Sequence, residues 1–436
     1  MGKSVIVERA RKVTAEQGQK AIFFGLAIFV LMFPLGQYIW PHHLIGTQVQ
    51  SIFLLMLALY FLCILGIEYC NQRFTLNKVT LFSILFLTIF GVISCICSGR
   101  LNTSVYGDEL QSQGFLAIFS YYVIFFAATQ LKNEKYRKKL LLFLILILGF
   151  IAFYGVLQFL QVPIMRHKSA RVAVYPTKNQ NYFSALPVLF IGLIFVQIMY
   201  REKDANKSKG KTIFFHLLLL LGFGACLSAD SLLVYMGIIM EFLLLAFLEL
   251  VTKKHRYGKI LCFVAEFLLV FFIFNVISGG QMLDELFTFS NQVEQEGTLF
   301  GDSVGTGRMQ LWKDTLKAIP GIWVFGCGIE CTSANHGVGD AHNEYLQLWA
   351  EQGSFALIAY LVFLFSLFIP GLLQFIKKEE YDSDIVSKAA MFAFFGYIAQ
   401  AFANIRVIQV APYFWLCCGL LYVRKRQKTE TSRKKD

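Results

Sequence analysis

Twelve apolar runs of roughly membrane-spanning length follow one another along this 436-residue chain, at about 21–39, 48–66, 79–97, 115–131, 140–160, 183–200, 213–228, 232–251, 260–277, 354–374, 389–404 and 408–423. Crossing the hydrocarbon core of a bilayer takes about 20 such residues. Backbone exposed to lipid must satisfy its own hydrogen bonds, and runs without period-2 alternation can do that only as helices. A composition of 56% hydrophobic and 16% charged residues, with mean hydropathy +0.58, excludes an ordinary soluble protein of this length. The predicted fold is all-α, a polytopic integral membrane protein with about 12 transmembrane helices.

The basic residues predict the orientation. With the N-terminus in the cytoplasm, successive cytoplasmic segments carry 5, 2, 5, 5, 4, 3 and 7 Lys or Arg, 31 of the 40 in all, and the external segments carry 9. Short loops rich in Lys and Arg stay inside, so both termini are expected in the cytoplasm. The net charge of +12 is thereby a topology signal, not a nucleic-acid footprint. The first twenty residues are polar and the run after Lys20 is long enough to remain as an anchor, so no cleavable signal is expected.

The chain divides into a cytoplasmic tail, 1–20; transmembrane helices 1–9 over 21–277; a large extracytoplasmic loop with amphipathic helices, 278–353; transmembrane helices 10–12 over 354–423; and a basic cytoplasmic tail, 424–436. Other connections are short. The loop between helices 9 and 10 holds Arg308, Lys313, Lys317, His336, His342 and eight acids from Asp284 to Asp340. A long polar excursion between spans is usually functional. The external loop 162–181 is unusual in another way: Arg166, Lys168, Arg171 and Lys178 occur there with no Asp or Glu. Positive charge on the side that is normally poor in it is expected to bind an anion.

Within the large loop, Gly305-Thr306-Gly307 leads into a short helix expected from Arg308 to Ala318 and stopped by Pro320-Gly321. Arg308 falls in its first turn, where free amides and a planar guanidinium can hold a phosphate together. Phe325-Gly326-Cys327-Gly328 reads as a turn. His342, Tyr345 and Trp349 recur at i, i+3 and i+7, with His342 at the outer start of a helix ahead of span ten. Moving a sugar from a lipid diphosphate to a hydroxyl needs a partner for the departing diphosphate and a base near neutral pKa. Arg171, Arg308 and His342 supply both.

Most of the ten Cys lie in spans and behave as small hydrophobes. Cys327 and Cys331 lie in the outer loop and could pair in an oxidising compartment. No metal site is expected, because their Cys-x3-Cys spacing has only a distant His336, and the one Asp-x-Asp, Asp382-Ser383-Asp384, falls in a cytoplasmic loop. Glu241 and Glu266 lie inside spans eight and nine, where a carboxylate is costly and needs a partner. A structural role is expected, such as a protonated carboxyl bonded to a neighbouring helix. A transporter of lipid-linked glycans or small molecules is the alternative, with these two as its main sites.

The run Arg308 to Trp312, then Phe325-Gly326-Cys327-Gly328, Ala341-His342-Asn343-Glu344-Tyr345-Leu346 and Glu351-Gln352-Gly353 resembles the signature of the bacterial O-antigen ligase and polymerase family. Arg171 followed by Asn179-Gln180-Asn181 is similar to that family's Arg and Asn-x-Asn segment before span six. The resemblance implies an inverting, metal-independent, cofactor-free glycosyl transfer from an undecaprenyl-diphosphate-linked donor to a glycan or lipid acceptor, among membrane lipids and without nucleic acid, at the outer face of the bacterial cytoplasmic membrane. It further implies that Arg171 and Arg308 hold the diphosphate, that His342 acts near the acceptor, and that Asn181 and Asn343 contact substrate. Many members have a Ser-Arg pair between spans seven and eight, where this chain reads Ser228-Ala229-Asp230-Ser231. The missing contact would pass to Lys168, Lys178 or Arg406. The acceptor, and with it ligase against polymerase, is open at this point.

Overall fold

The computed structural model describes residues 11–39, 43–109, 111–163, 171–200, 208–253, 256–305, 307–331, 340–377 and 384–422. Among them all regular secondary structure is helical. Nine helices among the described residues are long and apolar enough to cross a membrane: Ala15–Ile39, Ile45–Cys70, Lys78–Cys97, Glu134–Phe159, Gln180–Met199, Lys209–Ser228, Leu232–Thr252, Tyr257–Ile277 and Glu344–Ile376. Three shorter apolar helices, Phe115–Gln130, Ile385–Gln400 and Ala411–Leu421, fall on the remaining apolar runs.

Polar side chains set several of the helix starts. Thr14 forms a reciprocal capping box with Gln17, and Asn77 and Asn133 accept hydrogen bonds from the first-turn amides that have no partner within their own helices. Asp384 caps the Ile385–Gln400 helix through the Ser387 amide and is paired to Arg137 at 2.7 Å. Arg137 also donates to the Ser387 hydroxyl and the Leu420 carbonyl. Burial pushes the Asp384 carboxyl up, and the Arg137 charge and these hydrogen bonds outweigh it, leaving the group below its usual range. The carboxyl at the end of the Asp-x-Asp is therefore committed to holding three helix ends together. Asp382 and Ser383 lie outside the described residues.

Burial sorts the helices into a centre and a periphery. Of the apolar window in Gln180–Met199, 89% is buried, against 17% in Tyr257–Ile277, whose Leu261, Leu268, Leu269 and Phe272 face outward. The central helix packs on Ile385–Gln400, which packs in turn on Ala411–Leu421. Lipid tails are as apolar as leucine, so close backbone approach at small residues drives such packing. A Cβ on Gly192 would fall 2.5 Å from the Ala393 amide nitrogen, and one on Gly419 would fall 2.5 Å from Ala128 Cβ. Full enclosure also explains the shortness of the Ile385–Gln400 and Ala411–Leu421 helices. Irregular backbone is tolerated where protein surrounds it, and the 401–410 segment between them is buried at eight of its ten positions.

Several local expectations change. The helix from Arg308 runs through Pro320 to Ile322, because a proline in the last turns of a helix forfeits only one backbone bond. His342 precedes its helix and lies outside the i, i+3, i+7 repeat, since Asn343 is the N-cap. Glu266 is bonded to His216 of the neighbouring helix at 2.6 Å. Glu241 is different: both its oxygens lack hydrogen-bond partners, in a niche where a Cβ on Gly192 or Gly396 would come within 2.6 Å of Oε1. Cys327 and Cys331 are bonded to each other.

Candidate functional site

The site grows from the start of the Glu344–Ile376 helix. Asn343 Oδ1 accepts from the Tyr345 and Leu346 amides, both at 3.0 Å. That capping geometry needs extended backbone at Asn343, and the chain reaches it through a left-handed turn at His342, φ 45°. Left-handed backbone is uncommon outside glycine and is worth attention at a polar residue. The His342 ring is partly buried, and its Nδ1 has no hydrogen-bond partner. Burial lowers its pKa, and the Arg308 guanidinium lowers it further. The imidazole is therefore kept neutral near pH 7, with a lone pair available to take a proton.

Arg308 opens its own helix behind Gly305 and Gly307, whose positive φ of 66° and 82° turn the chain sharply into it. The side chain is only 9% exposed, and Nη1 donates to the Gly305 carbonyl at 3.3 Å. A buried guanidinium within electrostatic reach of a neutral imidazole is a constellation suited to holding an oxyanion beside a base.

Two signature segments meet backbone to backbone beneath this pair. The Glu344–Ile376 helix kinks at Gly353, φ 82° and ψ 175°. Against the kink lies the Trp323–Gly328 turn, with Cys327 N donating to Ala350 O at 2.9 Å, Gly328 N to Glu351 O at 3.0 Å and Ser354 N to Trp323 O at 2.7 Å. A Cβ on Gly353 would lie 2.0 Å from Val324 O, and one on Gly326 would lie 2.1 Å from Glu351 O. The glycines of Phe325-Gly326-Cys327-Gly328 and Glu351-Gln352-Gly353 thus permit a clasp that fixes where His342 begins.

Behind the clasp is a cavity of about 10 Å³, room for one water, lined by Gln113, Glu330, Glu344, Glu351 and Arg406 among others. Glu344 accepts from the Tyr360 and Tyr397 hydroxyls, both at 2.9 Å. Glu351 Oε1 accepts from the Glu330 amide at 3.1 Å, while the Glu330 carboxylate accepts from the Asp108 and Gln113 amides. Burial first, then the Asp108 charge, holds the Glu330 carboxyl well above its usual range. Arg406 is the cation among them: burial works against its charge, but Glu344 and Glu351 overcome that and raise its pKa. The arrangement favours an internal counter-ion at Arg406 over a substrate contact.

The remaining sequence candidates have mixed placements. Asn181 ties three segments together, its Oδ1 accepting from the Ser231 hydroxyl and its carbonyl from Asn404, both at 2.8 Å. The Asn404 segment reaches the helix start, because Glu344 N donates to Ala401 O at 2.8 Å. Asn343 is a cap whose amide oxygen is already used. Lys178, at φ 58°, lies over the Tyr175 ring at 5.6 Å, and the loop behind Arg171 is pinned by Ala173 N to Ser228 O at 2.6 Å. Lys168 and His336 lie outside the described residues. At the departure Ser228-Ala229-Asp230-Ser231, burial raises the Asp230 carboxyl above its usual range, partly offset by the Gln281 hydrogen bond. Sequence reading quoted Glu344 and Glu351 within the signature but gave no role to them, to Glu330 or to the two tyrosines; the seven-residue spacing of Glu344 and Glu351, two helical turns on one face, was the available signal.

No curated protein and no solved structure shows significant similarity to the chain. Residues 217–361, which contain Arg308, the glycine clasp and His342, match the family model described as O-antigen ligase.

Proposed function

We propose that the protein transfers a glycan from an undecaprenyl-diphosphate carrier to an acceptor hydroxyl at the outer face of the bacterial cytoplasmic membrane, crossing it twelve times with both termini inside. The observation that carries this reading is the buried Arg308 acting on a neutral His342, inside the O-antigen ligase match. His342 accepts the acceptor proton through its lone pair as the hydroxyl oxygen attacks the anomeric carbon. The bond from that carbon to the diphosphate oxygen breaks on the opposite face, so configuration inverts. The diphosphate leaves with the electron pair, and Arg308 and Arg171, with Lys168 and Lys178, meet its charge without a metal. Asn181 shapes the floor between the basic loop and the His342 turn, and the cluster around Arg406 holds the Glu344 helix start. The acceptor is a glycan or a lipid-borne anchor, not a protein side chain.

Purified protein in liposomes, given polyprenyl-diphosphate oligosaccharide and a glycan acceptor, should release one polyprenyl diphosphate for each new glycosidic bond. Movement of the lipid-linked glycan across the bilayer without bond formation would defeat this reading. That outcome would favour a transporter, with Glu241 as its site.

A further inference from the structure

His216, Cys262 and Glu266 place an imidazole, a thiol and a carboxylate together on two adjoining spans, with one ligand atom from each lying within 4.8 Å of the others. His216 Nδ1 is 2.6 Å from Glu266 Oε1, and Cys262 Sγ is 3.6 Å from the same oxygen. Glu266 Oε2 is buried and has no hydrogen-bond partner. From these contacts we infer that the three side chains form a binding site for a borderline divalent transition metal, with Zn²⁺ as the best match.

The donor set decides the metal class. Calcium and magnesium need several oxygen ligands, whereas mixed nitrogen, sulfur and oxygen donors suit zinc. Cys262 and Glu266 are four residues apart on the Tyr257–Ile277 helix and share a face. His216 comes from the Ser208–Ser228 helix, which packs against it. Tetrahedral coordination with bonds of about 2.0–2.3 Å spaces donors by about 3.3–3.8 Å. The thiol and carboxylate already have that spacing, and the His–Glu contact must open by less than about 1 Å. On binding, the thiol and the shared His–Glu hydrogen bond each give up a proton, so up to two protons leave as one dication enters. Three protein ligands leave a fourth position for water.

The metal would act as a staple between two spans and not as part of the transfer chemistry. His216 lies twelve residues before Ser228 and Glu266 eleven before Ile277, about 17 Å along either helix axis. Those far ends lead toward the segments that hold Asp230 and the amphipathic helix Gln281–Glu296. The metal site lies instead toward the helix ends bearing Lys209, Lys211 and Lys259.

The test uses the full chain, purified without a polyhistidine tag, treated with chelator, loaded with one equivalent of Zn²⁺ and desalted before metal analysis. The expected result is about one zinc per chain, a higher unfolding temperature with zinc, and a thiolate-to-metal absorption band when Co²⁺ replaces it. Cys262→Ser should abolish that band, and His216→Ala should cut retained zinc at least tenfold. Cys97→Ser, an exposed-cysteine control, should change neither. Metal-free variants that elute and unfold like the parent establish that the fold is intact. Wild-type protein that retains no zinc, or His216→Ala and Cys262→Ser proteins that retain as much as wild type, would overturn the assignment.

Discussion

Replacing Gly353 with alanine attacks the clasp that sets the position of His342. The new Cβ would meet Val324 O at 2.0 Å and Val324 C at 2.4 Å, and the backbone at φ 82°, ψ 175° is a region reserved almost wholly for glycine, costing a side-chain-bearing residue about 1–3 kcal/mol. Relieving the overlap must also part the three backbone hydrogen bonds from Cys327, Gly328 and Ser354, each worth about 1 kcal/mol. Together these come to about 4–6 kcal/mol, about a thousandfold or more in the opening equilibrium of the clasp. Amide hydrogen exchange read on peptides covering 323–331 and 350–354 measures that equilibrium directly. Gly321→Ala is the control, because a Cβ there meets nothing within 4 Å. Exchange in Gly353→Ala that matches Gly321→Ala would refute the clasp. A protected clasp with lost transfer would mean that Gly353 matters for another reason.

The His342 base predicts that His342→Asn inserts normally yet transfers glycan roughly 10²-fold more slowly, and that wild-type activity falls with acid through a midpoint below the usual histidine value of 6.5, since burial and Arg308 lower this pKa; a fully active Asn variant would end the claim. Arg308→Lys should lose nearly as much donor turnover as Arg308→Ala, because a point charge cannot reproduce a bidentate fork; near-wild-type kinetics in the Lys variant would contradict that. Glycan transfer should survive strong chelation even if zinc at His216 is stripped, and turnover that collapses and is restored by Mg²⁺ or Mn²⁺ would oppose a metal-free reaction. In a cysteine-free background an impermeant thiol reagent should label Ser290→Cys and not Lys135→Cys, both positions being exposed, and the reverse pattern would invert the proposed orientation.

Periodicity and length were enough to read the helices, because an apolar run either spans or is enclosed and both outcomes are helical. Composition does not separate those outcomes: Gln180–Met199 and Tyr257–Ile277 are similarly apolar, yet one is central and the other peripheral. Chemistry singled out Arg308 and His342 although 34 residues separate them, and the fold brings the guanidinium close enough to act on the imidazole's charge. The tyrosine clamp on Glu344 was not, since Tyr397 is 53 residues away inside a helix whose pattern has no polar face. Asn343 was legible as part of the signature, but its capping of the Tyr345 and Leu346 amides was not. The proline in the Arg308 helix misled for a local reason: sequence shows the missing donor but not how near the helix is to ending.

The enclosure of the Gln180–Met199 helix has a consequence for how the chain is made. The helix that covers it, Ile385–Gln400, is synthesised roughly two hundred residues later, so a nascent chain must keep the future centre of the protein in contact with lipid for nearly half of translation. Its apolar side chains make that wait harmless, for a surface that suits Phe392 and Ala393 also suits acyl tails. The polar residues at its N-terminal end are less tolerant. Asn181 and Ser184 reach Asn404 and Gln400 only when the last spans arrive, and until then water at the membrane surface must serve in their place. Assembly of the site is thereby tied to completion of the C-terminal helices, and a chain interrupted before them would be inserted but unfinished.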